Sequence, residues 1–394
     1  MERRILVTWS AAAIVLTAFT WYSAGSVTHG FVAYYGAARL LATGQLGPMA
    51  YDDSWFGHYV QTVTGSNVVE IFTPNPPTMA LMAWPIAMVS PATARTAWLC
   101  ASLASIATAA LVLLRLRSRD GQPVSPVLVL VMLLAPAVFA NLRIGQGYLI
   151  IAGFFTAAAM FLIRKDDGLA GVVLGLSLGL KLAGLGLFIL LIARRRWRAV
   201  AVAAGVAGFL AIAITPWIEP MMWFEFPLRV REFVARPSGS VTAYQSTLGL
   251  FRHLCIADPT WSPAPPGDCA AAAFAVPTLL IAIALLASVA VAIRTRGNDA
   301  CVIAAGVCLS ELSLPAAAES HFALLAIPLA LVPMETWLFV LVSALLLAPL
   351  EYTAETFTTG WMALLAYPRL YATWLLWGLS MRGLWRNPPL PAGP

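Results

Sequence analysis

Charge is scarce in this chain. Of its 394 residues, 11% are Asp, Glu, Lys or Arg, against roughly 25% in a typical soluble domain. A long disordered chain needs the reverse balance, high charge with little apolar content, and is excluded. Cysteine is scarce too: five residues without a Cys-x-x-Cys pair give neither a disulfide framework nor a common metal or dithiol spacing. No His-Glu-x-x-His and no Gly-x-x-x-x-Gly-Lys-Ser/Thr occurs, so metalloprotease chemistry and ATP-driven transport have no support.

What is abundant is apolar sequence. Hydrophobic residues make up 60% of the chain, and the mean hydropathy is +0.81. They fall in runs of about 15–25 residues, the length that crosses a bilayer. The chain therefore reads as an all-α polytopic membrane protein of roughly 10–13 membrane helices, one embedded domain over residues 1–394. The net charge of +6 does not point to nucleic acid, because the basic residues sit in short clusters between apolar runs, where they set topology. Those clusters are Arg3-Arg4, Arg115/Arg117/Arg119, Arg164-Lys165, Arg194-Arg195-Arg196/Arg198, Arg294/Arg296 and Arg382/Arg386. Placed in the cytoplasm, they thread the chain consistently with a cytoplasmic N-terminus. The N-terminal run to Tyr22, with Trp9, Trp21 and Tyr22 as interfacial anchors, is expected to be an uncleaved first span.

Spans are expected at about 5–22, 93–114, 124–139, 148–163, 199–215, 277–293, 299–314, 321–333, 335–349 and 361–379. A short apolar helix at about 77–90, broken by Pro85 and Pro91, dips into the membrane. The stretch 168–193 has basic clusters at both ends and is too short for two crossings. It should enter and return on one side as two half-helices meeting near Lys181. Long outward loops cover about 23–76 and 216–276. Within the first, residues 31–43 carry apolar groups at helical spacing before Gly44 and read as an amphipathic helix on the outer interface.

Candidate chemistry lies on the outward side. Lys181 is a cation in an apolar stretch, and such a residue is either functional or snorkels to the interface. A cation at an outward helix break suits a lipid phosphate. Arg143, in Asn141-Leu-Arg-Ile-Gly-Gln146, could help hold that phosphate. The first loop supplies Asp52, Asp53, His58 and Glu70, from which a base for a sugar hydroxyl could come. Glu70 precedes the rigid segment Phe72-Thr-Pro-Asn-Pro-Pro-Thr. Glu311, Glu319 and His321 flank Pro315 at another outer boundary. Cys255 and Cys269 bracket a Pro-rich piece of the second loop and are expected to form a disulfide.

Several segments together resemble glycosyltransferase family 87. They are Phe31-Val-Ala-Tyr34-Tyr35-Gly-Ala-Ala-Arg-Leu-Leu, Tyr51-Asp52, Phe72-Thr-Pro-Asn75-Pro-Pro-Thr-Met-Ala-Leu-Met-Ala-Trp-Pro, Gly145-Gln146, Gly175-Leu-Ser-Leu-Gly-Leu-Lys181, Arg194-Arg-Arg-Trp-Arg198, Tyr244-Gln245-Ser-Thr-Leu-Gly-Leu-Phe-Arg252 and Glu319-Ser-His321-Phe. The resemblance implies a GT-C membrane fold with its site facing outward from a bacterial plasma membrane. It implies transfer of a mannose- or arabinose-like sugar from a polyprenyl-phosphate donor to a lipid or glycan acceptor. No cofactor and no obligatory metal are expected, since the donor is already a lipid phosphate. Lys181 and Gln146 carry over as donor-phosphate residues, joined by Arg143 and Arg252. Tyr34, Tyr35, Asn75, Gln245 and Glu319 are candidates for the acceptor side, and His321 for a catalytic role. The family's acidic residue before the Phe-x-x-Tyr-Tyr pattern is replaced here by Gly30, preceded by His29. The base is then Glu70, Asp52 or His29, or the chain is an inactive relative. A lipid-linked sugar flippase is the alternative from another class. It should show two matched broken helices, and the sequence offers one.

Overall fold

The computed structural model describes residues 3–235, 241–259, 261–295, 298–349 and 360–386. Among them there is no strand; the elements are helices joined by short turns. In chain order the α-helices are α1 (Arg3–Ser23), α2 (His29–Ala42), α3 (Asp53–Thr64), α4 (Pro91–Arg119), α5 (Pro126–Leu134), α6 (Pro136–Ile144), α7 (Tyr148–Ile163), α8 (Asp167–Lys181), α9 (Leu185–Ala193), α10 (Trp197–Ile214), α11 (Met222–Ala235), α12 (Thr247–Cys255), α13 (Ala270–Arg294), α14 (Asp299–Leu312), α15 (Ala326–Leu331), α16 (Thr336–Leu347) and α17 (Pro368–Trp385). Among the described residues five stretches are long and apolar enough to cross a membrane: Arg3–Ser23, Pro91–Arg119, Pro126–Ile144, Trp197–Trp217 and Ala270–Arg294. The protein is an all-α polytopic membrane protein.

Proline sets several starts. Pro91 and Pro126 occupy first-turn positions behind the caps Ser90 and Ser125, whose side chains accept from Thr93 N and Leu128 N. A proline loses nothing there, because the first-turn N–H groups have no helical partner. Pro136 interrupts the span expected at 124–139, so that α5 and α6 are separate helices. The expected span at 321–333 is a 3-10 turn, Glu319–Leu325, followed by the six residues of α15. Arg296 of the expected basic clusters lies outside the described residues.

Two expectations for the first loop are corrected. Residues 77–90 form no α-helix but two 3-10 turns, Pro77–Met82 and Trp84–Ile86, with Pro85 lacking the backbone donor a continuous helix would need there. Helix α2 has no exposed face of the kind expected of an interfacial helix. Residues 30–38, Leu40 and Leu41 are all buried. They pack with α3, α4, α6 and the two 3-10 turns around a core that includes Phe56, Phe72 and Trp98.

The stretch 168–193 is the hairpin the basic clusters imply. Helices α8 and α9 meet at Leu182–Gly184, where Leu182 (φ 52°) and Gly184 (φ 97°) are left-handed. Both outer ends return to one ion cluster. Lys165 Nζ lies 2.6 Å from Asp299 Oδ2, Arg196 Nη1 lies 3.0 Å from it, Arg194 lies 3.5 Å from Asp299 Oδ1, and Arg196 also pairs with Asp167. The hairpin is held against α10 through a stripe of small residues. A Cβ on Gly171 or Gly175 would stand 2.7 Å from Ala199 O or Ala203 O, and one on Gly179 would stand 2.7 Å from Leu210 Cδ1. Small residues every fourth position let membrane helices approach this closely. Gly175-Leu-Ser-Leu-Gly179 also spells the Gly-x-Ser-x-Gly of an esterase elbow. Here it lies inside α8, and Ser177 Oγ donates to Val173 O.

The second loop carries α11 and α12. Cys255 and Cys269 are joined in a disulfide that ties α12 to the start of α13, with Cα atoms 4.7 Å apart.

Candidate functional site

Helix α8 delivers Lys181 to the hairpin bend. The helix closes there because Leu182 N donates to Leu178 O and Ala183 N to Ser177 O, an end that requires a left-handed residue. Gly184 is needed beside it: its φ is positive, and a Cβ would stand 2.6 Å from Phe155 Cζ. The Lys181 ammonium donates to Asn75 Oδ1 at 2.8 Å. It also stands 5.2 Å from the centre of the Tyr34 ring and 5.0 Å from that of Tyr148. Both distances suit attraction of a cation to an aromatic face.

Asn75 is placed by its own loop. Its Nδ2 donates to Phe72 O at 2.7 Å, which turns Oδ1 toward the lysine, and its carbonyl accepts from Tyr51 Oη at 3.0 Å. Thr78 Oγ1 donates to Gly179 O, fastening the loop to the last turn of α8. Thus residues 72–78 and the bend at Lys181 are one construction, although about a hundred positions separate them in sequence.

Tyr34 connects the lysine to the Gly145-Gln146 turn. Its hydroxyl donates to Gln146 Oε1 at 3.1 Å and accepts from Gly147 N at 3.1 Å. On the other side the Tyr148 ring lies 3.9 Å from that of His321, which is close enough to feel the charge of Lys181. Glu70 completes the group. Burial pushes its carboxyl above the usual range, and the Ile71 N–H bond with the charges of His29 and Lys181 works in the opposite direction. A carboxyl held between burial and nearby cations is a candidate proton acceptor. The exposed His29 ring bonds Val69 O through Nδ1 at 2.8 Å, beside Glu70.

The structure therefore gathers Lys181, Asn75, Tyr34, Gln146, His321, Glu70 and His29. It places the other sequence candidates elsewhere. Asp52 is the N-cap of α3, accepting from Trp55 N at 2.8 Å. Tyr35 donates to Val89 O and accepts from Arg39. Arg143 is exposed on the last turn of α6. Arg252, on α12, donates to Val234 O and stands over the Phe274 ring. Glu319 and Gln245 both serve Arg369, a fully buried residue of α17. Arg369 Nε lies 2.9 Å from Glu319 Oε1, and its backbone N–H donates to Gln245 Oε1. Glu311 is buried beside Tyr148. Among the described residues no group of three or more His, Cys, Asp or Glu side chains could hold a metal ion.

Gly30, the position where an acid was expected, is walled in. A Cβ there would meet Gln146 Nε2 at 2.7 Å and Ile144 O at 2.9 Å. The carboxamide of Gln146 fills the space an aspartate would need.

Three contributors escaped the sequence reading. Tyr148 had no signal beyond its place next to Gly-Gln-Gly. Arg95 and Arg369 did carry one, a cation within an apolar run. Arg95 is fully buried. Its Nη2 donates to Leu142 O and Arg143 O, the last carbonyls of α6, where a cation is favoured by the helix dipole. It also accounts for Gly145, whose φ is +80° and whose Cβ would lie 2.6 Å from Arg95 Nη1.

No curated protein and no solved structure matches the chain. The model of glycosyltransferase family 87 matches residues 72–315, from the Asn75 loop through Lys181 to α14. That covers more than half of the chain, which therefore belongs to glycosyltransferase family 87 and is a membrane glycosyltransferase.

Proposed function

We propose that this enzyme transfers a mannose- or arabinose-like sugar from a polyprenyl-phosphate donor to a lipid or glycan acceptor, at the outer face of a bacterial plasma membrane. The observation that carries the reading is Lys181. Its ammonium contacts a carboxamide and two aromatic faces, and among the described residues no carboxylate lies within 4 Å of it. Positive charge held without a paired anion suits the phosphate of a departing lipid carrier.

In this mechanism the acceptor hydroxyl attacks the anomeric carbon while the bond from that carbon to the phosphate oxygen breaks. Glu70 takes the hydroxyl proton, and Lys181 stabilises the negative charge that grows on the phosphate. Tyr34 and Tyr148 keep the ammonium over the leaving group, and Asn75 fixes its height. The lipid tail stays in the bilayer, so no soluble donor pocket is needed. No obligatory metal is proposed. The basic ends of the helices favour a cytoplasmic Asp299 side, and in this reading Lys181 faces outward.

The test uses purified protein in nanodiscs with labelled polyprenyl-phosphate sugars and a membrane lipid extract as acceptor. Transfer is expected. It should fall by about 10²–10⁴ in Glu70→Gln, as for loss of a general base, and stay near the wild-type rate in Asp52→Asn. Equal rates in wild type and Glu70→Gln would remove the assigned base. Movement of labelled lipid across the bilayer without transfer would favour a flippase instead.

A further inference from the structure

The opposite end of the hairpin carries a second arrangement of cations. The turns at 164–167 and 194–198, with Asp299, hold six basic residues (Arg164, Lys165, Arg194, Arg195, Arg196 and Arg198) against three carboxylates (Asp166, Asp167 and Asp299). The carboxylates are committed. Asp299 takes Lys165, Arg194 and Arg196, Asp167 takes Arg196, and Asp166 caps α8 at Leu169 N. Positive charge is therefore left over. Arg195 carries part of it: it is exposed, in a left-handed conformation (φ 55°), and among the described residues its side chain makes no hydrogen bond or ion pair.

Arg195 lines a groove of about 780 Å³ between α9 and α13. This is within the roughly 300–1,000 Å³ of small-molecule sites. Ile189 and Ile192 form one wall, Val289 and Ile293 the other, and Trp197 closes the basic end. Ile293 and Trp197 are 63% and 58% exposed, so the groove opens sideways to the lipid. The Arg194 side chain bridges the two helices, pairing with Asp299 and donating to Thr295 O.

We propose that this groove binds an anionic membrane phospholipid on the face of the protein opposite Lys181. The phosphate sits at Arg195, the glycerol region lies against Trp197, and an acyl chain runs between Ile192 and Ile293. Each part matches a known preference: arginine for phosphate, tryptophan for the headgroup level, and surplus cations near a membrane surface for anionic lipid. A zwitterionic lipid would bring its own cation to a place already positive.

The experiment reads lipid retention by native mass spectrometry on the purified full-length protein in detergent, with added phosphatidylglycerol or phosphatidylcholine. Wild type is expected to retain phosphatidylglycerol at least fivefold more. The double variant Arg195→Gln, Trp197→Leu should lose that preference, and Lys181→Met should keep it. Ile293→Trp, which fills the groove and leaves every cation in place, should lower retention as well. Equal retention of the two lipids by wild type overturns the proposal. So does a preference unchanged in both groove variants, or one that vanishes only with Lys181→Met, which would locate the lipid at the transferase site.

Discussion

The two ends of the α8–α9 hairpin treat positive charge in opposite ways. At the Asp299 end, Lys165, Arg194 and Arg196 converge on carboxylates at 2.6–3.5 Å. At the bend, Lys181 meets an amide oxygen and two rings, with Glu70 near but not paired with it. A cation paired directly with carboxylates holds helices together. A cation solvated by neutral dipoles keeps its field for a ligand. The same hairpin therefore has a structural end and a chemical end, and the difference lies in the partners rather than in the charge.

Mutation should separate the two ends. The largest effect is expected for Lys181→Met. Transfer should drop by about 10²–10³, the loss typical of a preorganised electrostatic contact, with little change in thermal stability. Asp299→Asn should do the reverse. It leaves Arg194 without its carboxylate and Arg196 with Asp167 alone, and costs about 1–3 kcal/mol of stability, while the rate per folded molecule holds. If both variants lost only stability, or both lost only rate, the contrast would be false. Kinetics and thermal unfolding on the same preparations decide this.

Next comes Gly175→Leu, which forces side-chain atoms into Ala203 O and Val206 on α10. Overpacking of this kind costs about 1–3 kcal/mol. Because it moves the helix that carries Lys181, it should lower rate and stability together. A well-folded variant with normal transfer would show that the close approach of α8 to α10 does not position the lysine.

The smallest effect is expected for His29→Gln. His29 draws the Glu70 carboxyl downward by its charge. Without it that carboxyl titrates still higher, so a base that must be ionised is lost earlier on acidification. The acid limb of the kcat/KM profile should move to higher pH by less than about one unit. An abolished limb, with most activity gone, would make His29 itself the base.

Much of the architecture was legible because membrane insertion writes itself locally. Helix α7 spans Tyr148–Ile163, as its apolar run implies, and the flanking arginines foretold the return of α8 and α9. Lys181 was legible for the same reason, since a cation in an apolar run is costly to place. The first loop is not legible in the same way, because α2 is amphipathic in pattern only. Its polar-looking side is covered by a loop folded back over it, and no local period records that cover. Glu319 was singled out as an ionisable group at a span boundary. Its partner Arg369 lies 50 positions away, and a pairing at that distance leaves no spacing to read.

The sequence by itself determined that this chain lives in a membrane, where it bends, and that Lys181 stands at a bend. Those properties follow from the cost of placing each residue in hydrocarbon, which is paid position by position. Only the tertiary structure decided that Asn75, Tyr34, Tyr148 and Glu70 surround that lysine while Asp52, Arg252 and Gln245 do not. Side chains from distant segments are brought together by packing, and packing depends on the whole set of contacts at once.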